Sequence, residues 1–304
     1  MRAERNTKKK RKWLRITGTI FLILFIALGA YVFSLYNSLS DAVETMHQPI
    51  DREGRKIAFN NKEPFTVLML GVDERAGDKG RSDTVIALTI NPEKKSVKML
   101  SIPRDTRTEI VGRGTQDKIN HAYAFGGVEM SMDTVEKFLD IPIDYYVKMN
   151  MEGFQDIVDA VGGVTVNNTR EFTEGKFHFA QGQIDLNGQE ALAYVRMRKS
   201  DPEGDFGRQN RQRQIIQGIV NKGASVGTLT KFDNIFEALG KNVSTNITFD
   251  EMKSIQSHYK SAAGNIEQMK IEGSGTKING IYYWVISPQS HENIKTELKN
   301  HLNL

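Results

Sequence analysis

The sequence predicts an α/β fold, a central mixed β-sheet sandwiched by helices, preceded by one transmembrane helix. Three observations carry that prediction. Short apolar runs of strand character alternate with helical periodicities along the body of the chain. Turn signals such as Asn91-Pro92-Glu93 separate the runs. Ahead of them all, Ile16 to Tyr36 form 21 residues without a charge.

At about 1.5 Å per residue that stretch crosses a hydrocarbon core of roughly 30 Å. Eight Lys or Arg among residues 1–15 lie directly before it, against Glu4 alone. The positive-inside rule therefore places residues 1–15 in the cytoplasm and residues 37 onward outside the cell membrane, in a single-pass arrangement. The span is longer than the apolar stretch of a cleaved signal peptide and lacks a small-residue cleavage site, so it reads as an uncleaved anchor. Residues 37–62, polar and with Pro49, read as a stalk, and residues 63–304 as one catalytic-sized domain.

Within that domain Thr66–Leu70, Thr84–Ile90 and Val97–Ile102 read as strands, the last two joined as a hairpin. Helical patterns follow at His121–Phe125 and Met132–Leu139, the second with Ser131 as an N-cap. Tyr145–Met149 is a strand, and Met151–Val161 an amphipathic helix closed by Gly162-Gly163. Val164–Val166 is a strand. Gln189–Tyr194, Arg208–Val220, Leu229–Leu239 and Asp250–Ala262 read as helices, and Glu267–Ile271 and Tyr282–Ile286 as late strands.

Composition removes several chemistries. With no cysteine, the chain has no disulfide, thiolate zinc site or cysteine nucleophile. Beyond residue 15 it carries 33 basic against 36 acidic side chains, so the net +4 belongs to the tail. A body of that balance does not suit a nucleic-acid binder. No phosphate-binding G-x-x-x-x-G-K-[ST] loop is present. The six histidines make no metal-ligand spacing, and His121 reads as a packing residue at a helix start.

What remains is a set of arginines and aspartates at strand ends and loop edges, where α/β sheets place ligand sites. They are Asp73 and Arg75, Arg81 and Asp83, Arg104 and Arg107, Arg196 and Arg198, and Arg208 with Arg211 and Gln212. Singly, each fits a turn former or a solvated charge. Together, several guanidinium groups suit the oxygens of a pyrophosphate, and two carboxylates suit a hard cation. Arg208 and Gln212 are four apart and share a helical face.

The motifs Gly71-x-Asp73-x-Arg75, Arg81-Ser82-Asp83-Thr84, Ser101-Ile102-Pro103-Arg104-Asp105, Lys118-Ile119-Asn120-His121-Ala122-Tyr123, Gly162-Gly163-Val164 and Tyr194-Val195-Arg196-x-Arg198 occur in that order. With Asp205-x-Gly207-Arg208-x-x-Arg211-Gln212 they closely resemble the LytR–CpsA–Psr family over residues 63–225. Arg213 departs from a glutamine that members often carry there.

That resemblance implies a phosphotransferase moving a wall glycopolymer, a teichoic acid, from undecaprenyl pyrophosphate to a sugar hydroxyl of peptidoglycan. It implies that Asp73 and Asp83 hold Mg²⁺, or Mn²⁺, on the pyrophosphate. Arg75, Arg81, Arg104, Arg196, Arg198, Arg208 and Gln212 would grip its oxygens, with Arg107, Lys118 and Arg211 in support. Asp73, Asp83 and Arg104 would be catalytic, and Asp73 is the preferred general base. A polyprenyl donor requires an apolar slot, for which Phe138, Leu139, Tyr146, Phe154, Ile157 and Val161 are candidate linings. A lipid-linked pyrophosphatase and a non-enzymatic membrane-bound transcriptional attenuator are the alternatives.

Overall fold

In the computed structural model, which describes residues 44–52, 54–74, 80–198, 201–225 and 242–304, the first strand is an interior strand of the sheet. Strand β1 (Phe65–Val72) pairs antiparallel with β2 (Ser82–Asn91), and β2 with β3 (Ser96–Ile102), so the expected hairpin is present. Its turn is held by the Asn91 side chain, whose Oδ1 accepts from the backbone N–H of Glu93 and Lys94 at 3.0 Å each.

A small ribbon of β4 (Arg107–Ile110) and β5 (Thr115–Lys118) leads into α1 (His121–Leu139). The two expected helical patterns are one element broken at Gly126 and Gly127, the latter at φ 66°. Ser131 is therefore not an N-cap. It lies inside the second segment, buried, and its Oγ donates to the Gly127 carbonyl at 2.8 Å.

Strand β6 (Tyr145–Met149) pairs parallel with β1. Helix α2 (Met151–Ala160) starts on Asn150, whose side chain accepts from Gly153 N–H, and ends at Gly162 and Gly163, both at positive φ. Next come β7 (Val164–Asn168), β8 (Phe172–Glu174), β9 (Phe177–Phe179) and β10 (Gly182–Leu186), pairing as β7 with β10 and β8 with β9. Helix α3 (Gly188–Arg196) opens with a reciprocal cap between Asn187 and Glu190. The chain continues through α4 (Asp205–Ser225), β11 (Val243–Thr245), α5 (Phe249–Ala263) and β12 (Ile266–Met269). It ends with the hairpin β13 (Gly273–Ile278) and β14 (Ile281–Ile286), then α6 (Pro288–Leu302).

The main sheet has six strands in the order β11-β6-β1-β2-β3-β12, with parallel pairs at β6–β1 and β3–β12. Its two faces follow from strand alternation. Leu68, Leu70, Val72, Val85, Ala87, Leu100 and Tyr146 face α1 and α6 in one core. Met69, Ile86, Leu88 and Met99 face the opposite side, against Ile216 and Val220 of α4. Each fully buried Leu or Ile here contributes roughly 1.5–3 kcal/mol by leaving water. Helices on both faces make the predicted sandwich.

Within the expected stalk, two arginines tie the chain to this domain. Arg52 bonds Asp133 at 2.7 Å and the Ile143 carbonyl at 2.6 Å, and Arg55 pairs with buried Asp144 at 2.8 Å. The expected span at 16–36 and the expected helix at 229–239 lie outside the described residues. Among the described residues no helix is long and apolar enough to cross a membrane.

Candidate active site

Strand β1 ends beside the bulge in β2, where the register shifts between Gly71 opposite Thr84 and Val72 opposite Ser82. Asp83 is the extra residue, and a bulge re-aims the side chain it carries. Gly71 is required here, because a Cβ would lie 2.9 Å from Thr84 Cβ. Asp73 follows β1 directly, its N–H donating to the Arg81 carbonyl at 3.4 Å. The two predicted carboxylates thus flank one end of one ladder, with Arg81 exposed beside them.

The end of β3 supplies the next layer. Arg104 Nη1 donates to Asp83 Oδ1 at 2.9 Å, and its Nε lies 3.7 Å from Asp105. Lys118, at the end of β5, closes on Asp105 Oδ1 at 2.6 Å. Burial opposes the Arg104 charge, but Asp83 and Asp105 outweigh it and hold its pKa above the usual arginine range. Helix α4 adds Arg208, whose Nη2 lies 2.6 Å from Asp205 Oδ1. Its pKa goes the other way: burial lowers it, with repulsion from Arg104 and Arg198 adding to the effect. The Nε of Arg208 is buried without a hydrogen-bond partner among the described residues. One turn later Gln212 donates to Thr84 Oγ1 at 2.8 Å, tying α4 to the bulge.

Behind these polar groups an apolar cavity of about 380 Å³ runs between the sheet and helices α2, α3 and α4. Met69, Ile86, Leu88, Val147, Leu192 and Ile216 are among its walls, and Asp83, Arg196, Arg208 and Gln212 stand at its polar end. An apolar cavity with a few convergent polar groups is the usual form of a small-molecule binding site.

The predicted residues divide accordingly. Asp83, Arg104, Arg208 and Gln212 come together, with Lys118 joined through Asp105, Arg196 at the cavity and Arg198 within electrostatic reach of Arg208, while Asp73 follows β1 beside them with its backbone tied to Arg81. Arg107 lies one pairing step away, opposite Lys118 and 6.0 Å from the Tyr283 ring. Arg211 does not join them: about 100° round α4 from Gln212, it is buried, bonds Asp201 and the Met197 carbonyl, and sits 5.5 Å over Phe172. Arg75 lies outside the described residues. His121 packs as expected, bonding Asp117 at 2.8 Å and meeting Phe125 edge-on.

Of the expected cavity linings only Phe154 and Ile157 are there. Phe138, Leu139 and Tyr146 belong to the core on the other face of the sheet, and Val161 packs in the cluster around α3. The sequence had not assigned Asp105 and Asp205, the carboxylates that hold Lys118 and Arg208, although both stand in the motifs that drew attention. It also passed over Glu74, which accepts from Tyr123 Oη and lies 3.3 Å from Lys148 Nζ. Burial and Glu74 together raise the Tyr123 pKa well above the phenol range.

Fold and site define a class: an α/β domain with a cluster of arginines and carboxylates at one end of an apolar cavity. The chain belongs to the LytR_cpsA_psr family, whose model matches residues 32–300. It is 52% identical over 305 residues to the polyisoprenyl-teichoic acid–peptidoglycan teichoic acid transferase TagU of Bacillus subtilis, covering 99% of both chains. The crystal structure of B. subtilis TagU matches with a TM-score of 0.65 at 54% identity, covering 79% of this chain and 97% of that one. A structure of TagT bound to LI-WTA, 32% identical, matches with a TM-score of 0.73, over 85% of this chain and 100% of that one.

Proposed function

We propose that the chain transfers a teichoic acid from a polyisoprenyl pyrophosphate carrier to a sugar hydroxyl of peptidoglycan. The observation that carries this reading is the junction of cavity and cradle. A polyprenyl tail fits the apolar walls, which leaves its pyrophosphate among Arg104, Arg196, Arg208 and Gln212. Residues 16–36, by their length and lack of charge, would hold the domain at the outer membrane surface where such a donor resides.

Chemically, the acceptor oxygen attacks the phosphorus bonded to the glycan. A new P–O bond forms, the P–O–P bridge breaks, and polyprenyl phosphate leaves. The hydroxyl proton passes to a carboxylate, for which Asp73, next after β1, is the candidate. Arg104 and Arg208 face the oxygens that gain charge, and positioned donors of this kind supply most of the catalysis in phosphoryl transfer. The donor set at β1 and β2 is two carboxylates with no sulfur or imidazole, which fits Mg²⁺, an ion that binds through one or two carboxylates plus substrate phosphates. Asp73 and Asp83 would hold it, and Mn²⁺ would substitute. When bound, it neutralises phosphate charge.

The test uses the full chain in membranes, a lipid-pyrophosphate teichoic acid, and peptidoglycan present or withheld. Polymer attached to peptidoglycan, with polyprenyl phosphate released only when acceptor is present, is the expected result. Free phosphorylated polymer at the same rate without acceptor would make the chain a pyrophosphatase instead. Chelation should stop transfer and added magnesium restore it.

A further inference from the structure

An in-line displacement at phosphorus brings the acceptor in from the side opposite the leaving group. The lipid cavity occupies one flank of α4, the side of Arg208, Gln212 and Ile216. On another flank of that helix lies a second depression, of about 630 Å³, to which Phe206, Gln209, Asn210 and Arg213 contribute. Its far side is formed by Ser101 of β3 and by residues 268–272, from the end of β12 onward.

Four features of this depression concern a ligand. Ser101 is 95% buried, and its Oγ has no hydrogen-bond partner among the described residues. Phe206 is 40% exposed and meets Trp284 of β14 edge-on at 4.9 Å, which leaves an aromatic face at the rim. Polar side chains with both donors and acceptors, Gln209, Asn210, Arg213 and Gln268, line the floor, Arg213 bonding Gln268 at 3.0 Å. The depression is also mechanically joined to the cradle. Gln209 donates to Asp205, the partner of Arg208, at 3.1 Å, and Trp284 N–H donates to the carbonyl of Asp105 at 2.8 Å.

We propose that this depression is the acceptor subsite, which takes a glycan strand of peptidoglycan and presents one sugar hydroxyl to the cradle. The chemistry of the lining selects that occupant. A pyranose offers a C–H face that packs on an aromatic ring and a rim of hydroxyls that need both donors and acceptors. A polyprenyl chain would leave Ser101 Oγ unpaired and offer nothing to the remaining donors and acceptors of Gln209, Asn210, Arg213 and Gln268. A second diphosphate would meet Glu203 and Glu272 on the lining. The proposal rests on the transferase reading and adds to it where the acceptor binds.

The experiment measures transfer by the full chain in membranes while the soluble glycan strand and the lipid-linked donor are varied separately. Phe206→Ala, at an exposed position, and Arg213→Ala are compared with the wild type. The expected result is an acceptor KM raised at least tenfold in each, with the donor KM within twofold. Titration of the glycan strand onto donor-free protein should show the same loss of binding. If both variants keep the wild-type acceptor KM, or if donor and acceptor KM rise together, the subsite is not here although transfer stands. If the wild type moves no polymer to any acceptor, the transferase reading fails and this inference with it.

Discussion

Arg208→Met separates a catalytic guanidinium from a structural one. In the folded chain this arginine is costly to keep: its side chain is 12% exposed, its Nε is unpartnered among the described residues, and Arg104 repels it. Methionine fills similar volume beside an apolar cavity. Methionine removes the cost of holding that charge out of water, and Asp205, whose side chain is 31% exposed, is not left as a fully buried lone charge. Against that, Asp205 loses its closest cation. It retains Gln209 at 3.1 Å and its place in the first turn of α4, where the helix dipole favours a carboxylate by about 0.3–1 kcal/mol. The two effects nearly offset, so Tm should stay within about 4 °C of the wild type. Turnover should behave otherwise. Removing one positioned donor from the developing charge costs about 2.7–4 kcal/mol, or roughly 10²–10³ in rate. Differential scanning calorimetry and single-turnover transfer measure the two. A Tm lowered by more than about 8 °C, with transfer reduced only in proportion to folded protein, would refute the reasoning and make Arg208 a structural residue.

Filling the cavity should act on the lipid alone. Ile157→Trp is expected to weaken binding of a polyprenyl phosphate at least tenfold, about 1.4 kcal/mol, while inorganic pyrophosphate binds as before; fluorescence titration of both ligands checks it. Arg55→Ala leaves the Asp144 carboxylate buried without its cation, although Thr66 N–H still donates at 2.8 Å. A loss of about 3–5 kcal/mol in urea unfolding at neutral pH is expected. His301, 2% exposed between Thr89 and Ser96, has its pKa pushed down to about 4 by burial and by Lys98 and Lys94. Its folded pKa lies below its unfolded one, so its contribution is complete above about pH 6.5 and is lost as pH falls toward 4. Urea unfolding from pH 7 to 4.5 should show that decline, and His301→Gln should flatten it.

The fold was legible where local pattern and tertiary environment agree. The first three strands are apolar runs with clear turns, and their interior place in the sheet suits such runs. Helix α6 escaped notice although its signals were present: Ser287 caps it, Pro288 opens it, and Ile294, Leu298 and Leu302 recur at helical spacing on its buried face. The ribbons β4–β5 and β8–β9, only three or four residues per strand, carry too few residues for periodicity to register.

For the site, residue type and position at loop edges were enough to gather the arginines and carboxylates. They were not enough to say which way each pointed. Tyr146 and Val147 are neighbours in β6, yet one enters the core against α1 and the other lines the cavity. Arg211 and Gln212 are neighbours in α4, and only Gln212 reaches the bulge. Those assignments depend on which face of an element is covered, and that is decided by residues far away in sequence.

Helix α4 has no spare side. Gln212 meets the apolar cavity, Arg211 the pocket beside Phe172, and Arg213 the depression next to Ser101, at three consecutive positions. Inserting or deleting a single residue upstream would turn each of these side chains by about 100° into its neighbour's compartment. The length and phase of this rod between Asp205 and Val220 are therefore fixed by three compartments at once.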